Sequence, residues 1–237
     1  VTDSSGDRHQ IEVSVFGGVA QPFVDGQGGV KTREILYNGN GGNTYYDFSP
    51  GGAGGINILY NTSLYKKLRM QIGIGYQIVG YSIKSYSYDS VSPFDLKGYN
   101  YTGYFTVPLR LSYSLGLPKG ALTLRVGTSF ALGLHYVNHY KGNLYPTAYQ
   151  QSEYLDYIHS SSIDKSGMKY VMDIGADLKI GYAMPLTPKY TLNVGPVINF
   201  YHLANVYGYN RDIFGIRRYD FYAGVDLAFV FGVGKKK

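Results

Sequence analysis

Glu153, His159 and Ser161 are the nearest approach in this chain to an acid, a base and a nucleophile. A serine hydroxyl attacks only when a neighbouring base takes its proton and a third group orients that base. Here the three lie in a polar Ser- and Tyr-rich stretch at a spacing that fits no defined arrangement, so solvated loop residues are the simpler reading. His135 and His139 are four apart. On a helix they would share a face and could hold a metal ion, but on a strand four residues span about 13 Å, too far to share one. The absence of Cys excludes disulfides, thiolate metal sites and a Cys nucleophile together. The run Gly51-Gly52-Ala53-Gly54-Gly55 lacks the Lys-Ser/Thr that a phosphate loop requires. The expectation is a chain with no catalytic site, no metal and no cofactor.

A second set of chemical groups consists of charges on otherwise small-residue faces: Glu12, Arg69, Arg110, Arg125, Asp173, Asp177, Lys179 and Asp226. Their meaning depends on the elements that carry them. Between 121 and 136, Leu122, Leu124, Val126, Phe130, Leu132, Leu134 and Tyr136 alternate with Ala121, Thr123, Arg125, Gly127, Ser129, Ala131, Gly133 and His135. That is a strand with one oily and one small, polar face. Similar alternation recurs about eight times, as in Leu68, Met70, Ile72, Ile74, Tyr76 and Ile78, or Phe221, Ala223, Val225, Leu227, Phe229 and Phe231. So many oily faces on so short a chain exceed what its own core can hide, and they are expected to face lipid, with the charged set inside.

Composition agrees. The 237 residues include 32 Gly and 27 Tyr, no Trp, and only 16% charged residues, which suits close-packed strands with aromatic belts. No stretch approaches the roughly 18 to 20 apolar residues of a spanning helix, so a membrane crossing would be made by a closed barrel. The net charge of +6 owes three units to Lys235, Lys236 and Lys237. No basic face is interleaved with stacking aromatics, which argues against nucleic acid. No signal-peptide pattern opens the chain, and the polar start Val1-Thr2-Asp3-Ser4-Ser5 reads as a mature or trimmed end.

The patterning predicts strands over 10–21, 52–62, 68–84, 99–115, 121–138, 168–184, 190–206 and 217–233 in a single domain spanning 1–237, of which 1–9 is a short N-terminal segment before the first strand. Short turns at 62–68, 116–120 and 185–189 alternate with long loops at 22–51, 85–98, 139–167 and 207–216, so turns and loops fall on opposite rims. Val30–Tyr37 and Tyr45–Phe48 could add a hairpin standing above the membrane. Pro108 and Pro196 sit mid-strand, where bulges are expected because a closed barrel has no free edge.

On these strands and turns the chain resembles small outer-membrane β-barrels of the OmpA/OmpX-like kind over nearly its whole length. The fold class expected is all-β, a transmembrane antiparallel up-and-down barrel. The Tyr/Gly-rich style and the ending Phe229-Val230-Phe231-Gly232-Val233-Gly234 are most similar to Bacteroidetes barrels, with Phe231 in the role of the terminal aromatic. Asp89-Ser90-Val91 resembles a Bacteroidetes O-glycosylation motif. The resemblance implies a Gram-negative outer membrane, termini in the periplasm, and lipid and lipopolysaccharide as surroundings.

Within that frame the eight interior charges are expected to form a plug, Arg110 and Arg125 against Glu12, Asp177 and Asp226, that closes the lumen. Tyr45, Tyr46, Tyr86, Tyr88, Tyr145, Tyr149, Tyr154, Tyr157, Tyr207 and Tyr209 fall in or beside the long loops, where Tyr gives contact area and a hydroxyl at low entropic cost. The function expected is a non-enzymatic barrel presenting those loops for adhesion or as a subunit of a larger envelope complex with other outer-membrane proteins. A rim-site lipid-modifying enzyme, a narrow channel and a soluble ligand-binding barrel of inverted phase are the alternatives.

Overall fold

The computed structural model describes the backbone over 9–26, 29–31, 33–37, 43–87, 94–144, 172–207 and 218–233, and side chains over 9–23, 47–84, 97–135, 173–200 and 220–233. Eleven strands run in chain order: β1 (His9–Gly26), β2 (Gly29–Lys31), β3 (Arg33–Tyr37), β4 (Asn43–Ser49), β5 (Gly51–Tyr65), β6 (Leu68–Ser87), β7 (Phe94–Leu117), β8 (Gly120–Leu144), β9 (Met172–Pro185), β10 (Tyr190–Tyr207) and β11 (Arg218–Gly232). Consecutive strands from β5 to β11 pair antiparallel. The ring closes through β1, which pairs with β11 from Gln10↔Gly232 to Val24↔Arg218 and with β5 from His9↔Thr62 to Ala20↔Gly51. Eight strands therefore form a closed barrel in which each has a paired neighbour on both sides.

The outside is oily. Ile74 (51%), Val126 (46%), Val225 (54%) and Phe229 (52%) are about half exposed, and no second layer covers them among the described residues. Exposed tyrosines flank this belt: Tyr60, Tyr65, Tyr113 and Tyr190 toward the short-turn rim, Tyr99 and Tyr101 toward the opposite one. From Tyr113 to Tyr101 along β7 the rise is roughly 30 Å at a tilt near 40°, the height of an apolar band with an aromatic girdle at each interface.

The first long connection carries strands of its own. β3 and β4 form a hairpin, Arg33↔Asp47 to Tyr37↔Asn43, and β4 continues along β6 from Ser49↔Ser82 to Thr44↔Ser87. β2 folds back on the end of β1. None of these widens the ring, because β1 and β5 pair directly beneath them.

Three expectations are corrected. Neither proline makes a bulge: the β6–β7 register is the same at Ile72↔Leu109 and Gly75↔Thr106, and the β9–β10 register is the same on either side of Pro196. An antiparallel residue aims its N–H at one neighbour only, so a missing donor interrupts one ladder locally and leaves the other intact. The second correction is a register shift between Gly103 and Tyr104, where Leu134 is the extra residue. Past it the phase of β8 inverts: His135, expected inside, lies exposed on the outer wall, stacked on Tyr76 at 6.3 Å between ring centroids. Tyr136, expected outside, is opposite Thr102. Third, Tyr45, Tyr46, Tyr86 and Tyr207 belong to strands β4, β6 and β10 and not to loops.

Glycines differ in what occupies the space a side chain would need. A Cβ on Gly103 would meet only the movable ring ends of His135 and Tyr76. One on Gly73 would strike the Ile58 carbonyl and lie 2.8 Å from Leu59 Cα, which is backbone. Gly73→Ala is expected to destabilise the barrel by about 1–3 kcal/mol and Gly103→Ala by clearly less. Urea midpoints in phospholipid vesicles measure the difference, and equal shifts would refute it.

Candidate functional site

Side chains of even-numbered β1, β7 and β11 residues and of odd-numbered β5, β6, β9 and β10 residues, with odd-numbered β8 residues up to Gly133, point inward where they are described and divide the lumen into three layers. Next to the short turns is a polar vestibule of about 510 Å³, walled in part by Lys67, Arg69, Ser112, Ser114, Thr123 and Asn193. Asn193 donates to the Thr123 hydroxyl at 2.9 Å, and Thr123 donates to the Gly181 carbonyl at 3.1 Å.

The vestibule ends on a belt of charges. Glu12 on β1 pairs with Arg125 on β8. These strands are four steps apart in either direction round the ring, so the pair crosses the full diameter. Glu12 also accepts hydrogen bonds from Asn61 (3.3 Å) and Gln71 (3.2 Å), which ties β1, β5, β6 and β8 to one carboxylate. Arg110 on β7 meets Asp177 on β9 at 2.8 Å, and Lys179 on β9 meets Asp226 on β11. Each of these two pairs bridges over one intervening strand. Gly127, whose Cβ would come 2.5 Å from Arg110 Cγ, leaves room for that side chain. All six charged groups are buried, and three cations answer three anions. Burial of ionised groups is tolerated only with such pairing.

Arg69 and Asp173 stand apart from the three pairs. Arg69 lines the vestibule. Asp173 is four residues along β9 from Asp177, about 13 Å by strand rise, and is opposite Ala131 in the next layer. Both have polar interactions of their own.

Between the belt and that next layer is a void of about 10 Å³, lined by Arg110, Asp177, Lys179, Phe16 and Val197 among others, which is about the room of one water. The third layer is apolar on the side of β1, β5, β6, β7 and β8. Ala20, Val79, Tyr104 and Ala131 are buried together with Ala53 against them. Phe16 packs edge-on against Tyr222 at 5.5 Å, and beyond them Phe48 contacts Tyr81 at 5.8 Å. The lumen is thus crossed by ion pairs and, beyond them, is packed by an oily cluster from β1, β5, β6, β7 and β8 that shares its layer with buried Asp173 on β9. The alternation on each strand signals an inward face, but the oily layer escapes notice because inward Val79, Tyr81, Ile83 and Tyr104 break the small-polar rule locally.

Among the described residues no three His, Asp or Glu side chains gather in a metal-binding group. His135 and His139 both lie on β8, at strand spacing. Glu153, His159 and Ser161 lie outside the described residues, as do Tyr88, Tyr145, Tyr149, Tyr154, Tyr157 and Tyr209, and Asp89-Ser90-Val91.

No protein-family model and no curated protein sequence matches the chain. The chain is similar to several solved structures. Neisserial surface protein A is 14% identical over 92% of this chain and 96% of that one, with a TM-score of 0.35. Ail, the attachment invasion locus protein of Yersinia pestis, solved with the heparin analogue sucrose octasulfate, is 12% identical over 92% and 98%, with a TM-score of 0.32. The outer membrane protein OprG of Pseudomonas aeruginosa is 10% identical over 92% and 95%, with a TM-score of 0.33. The architecture of the present chain stands on its own strand closure.

Proposed function

We propose that this protein is a non-enzymatic integral barrel of a Gram-negative outer membrane, sealed to solutes, with short turns and termini in the periplasm. Its long-loop rim is presented outside the cell for adhesion or for docking to other envelope proteins. The observation that carries this reading is the combination of an oily wall with a lumen crossed by the Glu12–Arg125 pair and packed beyond it by Ala20, Val79, Tyr104 and Ala131. A transport pore needs an aqueous path, whereas a platform needs only a rigid wall under its loops. The strands β2–β4 and the extensions of β6, β7 and β8 add to that rim and bring Tyr45 opposite Tyr86. The Tyr- and Gly-rich composition supports a source among Bacteroidetes.

Two measurements test it. Purified protein inserted in planar bilayers is expected to pass no stepwise current at neutral pH in molar KCl, and a steady open level would overturn the seal. A tag inserted after Gln151 is expected to be labelled by antibody on intact cells, while one after Lys119 is labelled only after permeabilisation. The reverse pattern would overturn the orientation.

A further inference from the structure

The vestibule opens between the three short turns, and each of these turns is basic. The β5–β6 turn carries Lys66 and Lys67, the β7–β8 turn Lys119 and the β9–β10 turn Lys189, all of them exposed. In ring order the turns occupy three quarters of the mouth, and the ends of β1 and β11 occupy the fourth. No Asp or Glu stands in 62–68, 116–120 or 185–191. Lys67 lines the vestibule, Lys119 lies between its lining residues Pro118 and Gly120, and Lys189 is two residues from lining Thr191. Among the described lining residues the single carboxylate is Glu12, which is committed to Arg125 in the floor. Arg69 has polar interactions of its own, and the positive balance stands without it. The chain ends, 1–8 and 234–237, lie outside the described residues; by sequence they hold Asp3 and Asp7 against Arg8, Lys235, Lys236 and Lys237, which does not reverse the sign. A cleft ringed by charge of one sign, with low-dielectric walls, concentrates ions of the opposite sign.

The walls narrow the choice of anion. A space of about 510 Å³ suits a small organic molecule and is far more than a bare phosphate fills. Gln10, Ser112, Ser114 and Thr191 present amide and hydroxyl groups, which both donate and accept hydrogen bonds. Among the described residues no aromatic side chain lines the space, so a flat ring has no platform to stack on. A ligand with hydroxyls around its frame matches such walls, and one anionic group on it answers the lysines. We propose that the vestibule binds a polyhydroxylated anion of about monosaccharide size, a sugar phosphate or a sugar acid, entering from the short-turn side. The ion-pair belt beneath forms the floor, so the ligand is held and not passed. This goes beyond the platform reading and does not depend on which side of the membrane the short turns face.

The test is a calorimetric titration of the full chain, folded in uncharged detergent micelles, with glucose 6-phosphate, glucose and inorganic phosphate. Glucose 6-phosphate is expected to bind with a dissociation constant below about 1 mM, and each half alone at least about tenfold more weakly. K66Q/K67Q/K119Q/K189Q is expected to weaken binding by more than about tenfold, and added salt is expected to weaken it in the unaltered protein. Gly116 lines the vestibule and a Cβ there would meet nothing within 4 Å, so a large side chain fits into the space. Gly116→Trp is expected to abolish binding while the heat-modifiable folded band remains. Phosphate bound as tightly as glucose 6-phosphate would overturn the proposal in favour of an unselective basic rim. Glucose bound as tightly would overturn it too, since the lysines would then be idle. Undiminished binding by folded Gly116→Trp would put the anion on the turns and outside the vestibule, and no binding of glucose 6-phosphate by the unaltered protein would remove the site without reference to any variant.

Discussion

Glu12→Leu is expected to lower the stability of the folded barrel by about 3–5 kcal/mol, the cost of leaving a buried charge without its partner. Arg125 is 4% exposed and its guanidinium meets Glu12 from the opposite wall, so removal of the carboxylate strands a cation in the middle of the lumen. Asn61 and Gln71 lose their acceptor at the same time. Urea unfolding in phospholipid vesicles, followed by the gel shift between folded and unfolded bands, measures the loss. Arg125→Met alone is expected to be comparably harmful, because Glu12 is then the stranded charge. Glu12→Leu combined with Arg125→Met is expected to recover most of the stability, since an oily pair removes the desolvation cost as well as the attraction. If the two single losses simply add in the double variant, the pair is not a coupled unit.

Leu109→Arg is expected to cost about 2–4 kcal/mol in a bilayer, the charge penalty at the membrane midplane, whereas Tyr101→Arg is expected to cost about 0–1 kcal/mol. Both residues are outward on β7 and similarly exposed, Leu109 at 40% and Tyr101 at 43%, so side-chain packing cannot account for a difference between them. Only depth differs. Leu109 lies between the girdles opposite Ile72, and Tyr101 is in the girdle itself. Vesicle-based unfolding of the two variants reads the contrast. In an inverted, soluble barrel the two would respond alike, and equal values would refute the lipid-facing wall.

Reading the residues alone recovers the alternation that makes the wall. The period of two is local, so Leu122, Leu124 and Val126 declare one face and Thr123 and Arg125 the other without knowledge of any partner strand. The short turns are similarly local, since Pro118 and Pro185 with their neighbours announce them. The first hairpin is partly legible for the same reason: β4 carries Tyr45 and Tyr46 in a strand-like run.

What the residues leave open depends on contacts between distant strands. That His135 faces outward follows from one unpaired residue, Leu134, and a single extra residue inverts every side chain beyond it. That Lys179 answers Asp226, and that Arg125 reaches Glu12 across 113 positions of sequence, follows from the closure of the ring, which brings β1 and β8 face to face. Local chemistry decides which way each strand turns its faces, whereas the curvature that closes eight strands decides which inward charges meet.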